Sequence, residues 1–341
     1  MCFEEIDIPN DGRMMGAEEA LKACEAALTG DPEQDEATFR AYMALDETRC
    51  DNVRALRAGI TGYVLMLWPD ADLSQWPGAL NDYDPFMVRS EIEAASDEMS
   101  KGNVNSAVHA SAYAVSRLNL LFRQCSAYPN FDFENSFQAF LYRKTQHVDG
   151  TLYRALFEMT HANRVFGRIM MAAGELDDAI ECFRHAIAWN PVDADNYLDI
   201  AVAYLRNHHP ELHEINVSLA YPFICGRDQM RRYYFEQAAI YEAKQEYGFA
   251  AELYKLSLYF GEHPRSRSAL EYLEKTWFKK ITPPLDRAHL EKSCLAHHVP
   301  LSVSPDLMFN IDAFIAENPE DAESLGIISL KEELLHLFDG I

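Results

Sequence analysis

Residues 160–191 read THANRVFGRIMMAAGELDDAIECFRHAIAWNP, and the fold class follows from this stretch. From Thr151 to Ala173 the apolar residues are Leu152, Leu156, Met159, Val165, Phe166, Ile169 and Met170, mostly three or four apart. That is the period of a helix with one buried face. Gly174 interrupts it, and Glu175, Asp177 and Asp178 then form an acidic first turn, where carboxylates favour the positive end of a helix. A second helix begins near Leu176 and runs through Ala179, Ile180, Phe183, Ala186 and Ile187. It ends at Asn190-Pro191, because a residue before proline is pushed out of the helical region. The stretch is therefore a pair of helices joined by a glycine turn.

The pair has echoes. Asn163-x2-Phe166-Gly167-x2-Met170 in its first helix is followed by Tyr197-x2-Ile200-Ala201-x2-Tyr204 and by Tyr234-x2-Gln237-Ala238-x2-Tyr241. Ala179-x3-Phe183 in its second helix is followed by Ala250-x3-Tyr254, and Ala20-x3-Cys24-x2-Ala27-x4-Pro32 matches Ala179-x3-Phe183-x2-Ala186-x4-Pro191. Asn163 and Tyr197 stand 34 positions apart, and Tyr204 and Tyr241 stand 37 apart. Gly167, Ala201 and Ala238 fall where paired helices would cross, since only a small side chain lets two backbones approach. Phe183, Tyr204, Tyr241 and Tyr254 are of a size to fill the space between successive pairs.

This pattern resembles the tetratricopeptide repeat, whose period is about 34 residues. The resemblance covers Thr160 to about Pro264, and Ala20–Pro32 more faintly. It departs from the family at Asn163, where a large aromatic is usual, and in the middle unit, where Pro222 must stop or kink the second helix. Glu262 stands where the terminating proline would fall. The resemblance implies an all-α fold, a right-handed superhelix of antiparallel helix pairs. Such pairs cannot bury their faces alone, so they stack.

Helical periodicity extends over the rest of the chain, and no alternating run bounded by hairpin turns stands out. Helices are expected near 17–29, 35–57, 87–100, 104–124, 134–147, 151–173, 176–189, 194–206, 229–245, 247–260 and 265–279, then near 286–297, 305–316 and 327–338. Three segments follow. Residues 1–150 form an off-pattern helical region with a long aromatic and acidic loop near 69–85. Residues 151–281 carry the repeats, and 285–341 form a helical cap. Trp68, Trp76, Tyr83 and Phe86 mark the loop, which is expected to fold back as an apolar cover. Thr282-Pro283-Pro284 is the expected linker.

Composition narrows the function. The 341 residues carry 30 Lys and Arg against 54 Asp and Glu, a net charge of -24. Such a surface repels nucleic acid and anionic membranes, and no nucleic-acid reader motif offsets it. The longest apolar run, Tyr63–Trp68, is too short to span a bilayer. Seven cysteines (Cys2, Cys24, Cys50, Cys125, Cys182, Cys225, Cys294) are odd in number, scattered and without a CxxC. They suggest a reducing compartment, and the acidic start Met1-Cys2-Phe3-Glu4-Glu5 is unlike a signal peptide. The expectation is a cytoplasmic protein.

The motifs point away from catalysis. No G-x-S-x-G, G-x-G-x-x-G or G-x4-G-K-[ST] occurs, and no catalytic residue, cofactor or metal is expected. The resemblance implies a concave groove lined by first helices, here His161, Arg164 and Arg168, then Asp195, Leu198, Val202 and Arg206, then Arg232, Phe235 and Ala239. Arg164 and Arg168 share a helix face and would orient an acidic group of a peptide. Leu198, Val202 and Phe235 would supply apolar contact. The carboxylate clamp of chaperone-binding relatives is absent, because Asp199, Phe235 and Ala239 replace its later members. The expected function is a non-catalytic scaffold or adaptor holding a protein or peptide. Two rivals are a peptide-sensing regulator that moves the N-terminal helices, and a metal-dependent enzyme built on His208, His209 and His213. His209 and His213 are spaced i, i+4, as two ligands on one helix face would be.

Overall fold

The computed structural model describes residues 14–78, 85–121, 123–278 and 285–341. The helices in chain order are α1 (Ala17–Ala26), α2 (Pro32–Met43), α3 (Val53–Leu67), α4 (Pro85–Ser100), α5 (Val104–Leu121), α6 (Ser136–Gln146), α7 (Met159–Ala173), α8 (Leu176–Trp189) and α9 (Ala194–Arg206). They continue with α10 (Pro210–Ala220), α11 (Arg227–Ala243), α12 (Tyr247–Tyr259), α13 (Pro264–Leu273), α14 (Arg287–Ala296), α15 (Pro305–Glu317), α16 (Pro319–Ser324) and α17 (Ile327–Leu335). Among the described residues the fold is all-α apart from two two-residue strands, β1 (Asn130–Phe131) and β2 (Tyr153–Arg154), which pair in parallel. Among the described residues no helix is long and apolar enough to cross a membrane.

The chain divides into two compact units, one of residues 1–133 and 149–174, the other of residues 134–148 and 175–341. These differ from the three expected segments. The boundary falls at Gly174, so the best-matching pair of the sequence pattern is shared between units: α7 packs on α4 and α5 in the first, and α8 packs on α9 in the second. The segment 285–341 belongs to the same unit as α8–α13.

In the first unit the core gathers Leu21, Cys24, Phe39, Tyr42, Met43, Leu56, Ile60, Val64 and Tyr128. Asp35 is buried within it and is fully engaged. It accepts from the Thr29 and Gly30 N–H groups, the Thr29 hydroxyl and the Tyr128 hydroxyl, at 2.6–3.0 Å. One carboxylate thus ties the α1–α2 turn to a residue 93 positions away. Trp76 is buried against the same core, with Trp68 at 5.6 Å and the Arg40 guanidinium over its ring at 4.1 Å. Trp68 and Trp76 thus pack against the core of the first unit. Tyr83 and Thr282-Pro283-Pro284 lie outside the described residues, as does the side chain of Phe86.

Two expected helices differ. The helix expected over 35–57 is two, because Asp46 folds the chain into a turn by accepting the Thr48 N–H and hydroxyl at 2.9 and 2.5 Å. Asn52 then caps α3 by accepting the Ala55 N–H. The helix expected from 151 begins only at Met159, since Tyr153 and Arg154 are drawn into β2, and Leu156 is exposed rather than buried. Asp132 marks the true start by accepting the Thr160 N–H at 2.7 Å. Neither α10 nor α16 is among the expected helices.

In the second unit the helices pack on near neighbours in sequence: α8 on α9, α9 on α10 and α11, α10 on α11, α11 on α12, and α12 on α13. The small residues singled out in the sequence are buried. Ala179, Ala186, Ala201, Ala238 and Ala250 are wholly inaccessible, and Phe183, Tyr204, Tyr241 and Tyr254 are buried beside them. Pro210 starts α10, and Pro222 closes it through a 3-10 turn at Tyr221–Phe223. The C-terminal segment is fastened to this stack by tyrosine hydroxyls. Tyr234 donates to the Pro300 carbonyl and Tyr241 to the His297 carbonyl, both at 2.7 Å, and Tyr259 donates to Asp339 at 2.5 Å.

If close approach at Ala238 holds α11 in place, Ala238→Leu overfills the core and costs about 1–3 kcal/mol. Ala243→Leu, on the exposed end of the same helix, leaves the urea midpoint nearly unchanged. Urea unfolding followed by circular dichroism measures both, and equal effects would remove the close-approach explanation.

Candidate functional site

The residues expected to line one groove fall in both units. His161, Arg164 and Arg168 lie on α7 in the first; Asp195, Leu198, Val202 and Arg206 on α9, with Arg232 and Phe235 on α11, lie in the second. On α7, His161 and Arg168 are exposed and Arg164 is half-buried. On α9, Leu198 is wholly buried, so it is a core residue and not an apolar wall. Val202 is half-buried and Arg206 exposed.

α9 and α11 lie side by side, and their main polar contact is a guanidinium between two carboxylates. Arg232 donates to Asp195 and, at 2.6 Å, to Asp199. Asp195 and Asp199 are one helical turn apart, so both reach the same fork. Burial works against the Arg232 charge, but Asp199 and Asp195 outweigh it and hold the guanidinium above its ordinary value. Gln229 adds a longer bond to Asp195 at 3.4 Å. Arg232 is thus committed within the protein. Its fork is engaged by α9. The i, i+4 acids on α9 were the available signal.

Phe235 is half-buried and held on two sides. Its ring meets His263 edge-on at 4.6 Å and Tyr254 at 5.7 Å. His263 precedes α13, and its Nδ1 accepts the Ser266 N–H, capping that helix. Nδ1 also lies 2.7 Å from the Ser266 hydroxyl, and a nitrogen that accepts from both the N–H and the O–H carries no proton, which is the neutral ring. Burial, with Arg231 and Arg265 nearby, lowers the pKa of His263 in the same sense.

Deeper between α10 and α11 lies a pair the sequence reading read differently. His213 and Glu236 are both buried, with Nε2 and Oε2 2.8 Å apart. His209 stands before Pro210, exposed, with Tyr204 edge-on at 6.4 Å, and His208 takes a left-handed backbone in the turn. The three histidines therefore occupy three environments, and His213 spends its nitrogen on Glu236. Among the described residues no three His, Cys, Asp or Glu side chains are grouped to hold a metal ion.

The described cysteines are free thiols, five of them buried. Burial pushes Cys182, Cys225 and Cys294 up to about 12. These thiols stay protonated near neutrality and behave as small apolar groups.

Two outcomes are expected. Arg232→Ala strands Asp195 and the nearly buried Asp199, and destabilises the protein by on the order of 3 kcal/mol in urea unfolding. For His263, the folded pKa lies below the unfolded value of about 6.5. Its contribution to stability is complete above that pH and is lost as the pH falls below it. His263→Asn keeps a capping acceptor without a titrating proton. It should flatten the acid limb of the stability profile from about pH 7 to 5, and an unchanged limb would contradict the neutral cap.

No protein-family model and no curated protein matches this chain.

Proposed function

We propose that the second unit is a non-catalytic scaffold or adaptor of tetratricopeptide type, holding a protein or peptide against the face formed by α9 and α11. The observation behind this reading is the two-sided character of those helices. On one side Ala201, Ala238, Tyr204 and Tyr241 are buried, which fixes the stack. On the other Asp195, Val202, Arg206, Arg232 and Phe235 remain partly or largely accessible. The face is also rigid: Arg232 is clamped by two carboxylates and Phe235 by two rings. A surface ordered before binding loses less conformational entropy on binding. For the first unit taken by itself, Arg164 and Arg168 on α7 remain the proposed counterpart of an acidic group, through charge-assisted hydrogen bonds. The free, buried thiols support a reducing compartment, and the cytoplasm is the proposed site of action.

Affinity capture from native lysate, read by mass spectrometry, tests this. Wild type is compared with Val202→Glu/Arg206→Glu and with Arg164→Glu/Arg168→Glu, each first shown to be equally helical. A partner retained by wild type and reduced at least tenfold by Val202→Glu/Arg206→Glu, a loss of about 1.4 kcal/mol, is expected. A partner held equally by all three proteins would remove the α9–α11 face from the function.

A further inference from the structure

Among the contacts of the C-terminal segment with α11 and α12, the one at the turn between these two helices is made by His297. His297 ends α14. Its backbone carbonyl accepts from the Tyr241 hydroxyl at 2.7 Å. Its ring is stacked on Phe249 at 4.0 Å and meets Tyr241 edge-on at 5.2 Å. The aromatic neighbours fix the plane of the imidazole, and its two nitrogens then have fixed partners. Nδ1 lies 2.7 Å from the Ser293 carbonyl oxygen, and Nε2 lies 2.7 Å from Glu246 Oε2.

Both partners are acceptors. A backbone carbonyl has no proton to give, and neither has a carboxylate. A neutral imidazole carries one N–H, so it can serve only one of the two. The other nitrogen would then point a lone pair at an oxygen at hydrogen-bond distance. Only the doubly protonated ring donates to both. By contrast, His213 meets the Glu236 carboxylate, and His289 on α14 meets Glu252 Oε1 at 2.8 Å. For each of those contacts a neutral ring with its proton on Nε2 suffices.

We propose that His297 is a pH-operated latch, which in its doubly protonated form fastens α14 and the segment after it to the α11–α12 turn. Among the described residues, Tyr247 and His289 share a cavity wall with His297. Glu246 faces it from the turn and Tyr241 from α11. Glu252 lies on α12 and is engaged by His289 from α14. Lys244, at the end of α11, is drawn to Glu214 at 2.8 Å and lies over the Tyr241 ring. Among the described residues Glu246 is thus the one carboxylate bonded to the His297 ring. Docking through this contact takes up a proton, so it weakens as the pH rises. His263 has the opposite requirement and is held by a neutral ring, so acid loosens the start of α13 while alkali loosens the end of α14.

Hydrogen exchange of the full chain tests the latch. Protection of residues 287–304, corrected for intrinsic rate and referred to α9, is followed from about pH 5.5 to 8.5, across the ordinary histidine range. It should fall at least threefold over that interval in wild type. Glu246→Gln is the informative variant, because its amide N–H can donate to a bare Nε2 while Nδ1–H donates to Ser293. The neutral ring then makes both bonds, and protection should stay high and flat with pH. His297→Gln should be flat and low. Nitrogen NMR of the ring should find both nitrogens protonated in wild type at about pH 6. A single neutral tautomer in a fully protected segment would overturn the proposal. So would a pH profile in Glu246→Gln that matches wild type, whatever the folding of His297→Gln.

Discussion

The second unit depends on the enclosure of α11. This helix is covered by α9, α10 and α12 and, through Tyr234 and Tyr241, by the C-terminal segment. Yet its sequence, RDQMRRYYFEQAAIYEA, is far from uniformly apolar. A polar group taken from water costs free energy unless it finds a partner. Five polar side chains on α11 are matched to neighbours on other elements: Arg232 to Asp195 and Asp199, Glu236 to His213, Tyr234 to Pro300, Tyr241 to His297, and Glu242 to Tyr254. Apolar packing tolerates sliding by part of a turn, but these pairs do not. They fix the register of α11 against every element around it.

This division of labour explains what the sequence revealed. Small residues at Ala201, Ala238 and Ala250 and aromatics at Tyr204, Tyr241 and Tyr254 report a helix crossing whatever lies beyond it, and all six are buried. A crossing pattern says that a helix meets another closely. It does not say which one. That is why Gly167 and Phe166 on α7 are buried in the first unit while Ala179 and Phe183 on α8 are buried in the second, although they read as one pair. The strands were illegible for a different reason. Two residues give no period, and the pairing of Tyr153 with Asn130 depends on a contact 23 positions distant. The break at 44–52 was hidden because Asp46 is a local capping residue inside an otherwise helical pattern.

Site residues were legible by position and not by availability. Placing Arg232 and Phe235 on one accessible side of α11 needed only the helical period. Knowing whether Arg232 could serve a ligand needed its partners, and those stand on another helix, 33 and 37 positions away. The same holds for the histidines. His209 and His213 share a spacing suited to a metal, but spacing within one helix cannot reveal that Glu236 on the next helix has already engaged His213.

The histidines carry the argument one step further, because the proton count on each ring is set by what faces it. His263 faces a backbone N–H and must accept. His297 faces a carbonyl and a carboxylate and must donate twice. Neither requirement depends on how deeply the ring is buried, since donor and acceptor identity alone decides it. A protein with a net charge of -24 has carboxylates to spare, and most of its acids stand at the surface, where pairing is worth little. Glu246 differs because its histidine partner is immobilised by Phe249 and Tyr241, so the pair does not lose side-chain freedom each time it forms. Aromatic packing on one side of a ring thereby converts an ordinary surface ion pair into a contact whose strength follows the protonation of a single residue.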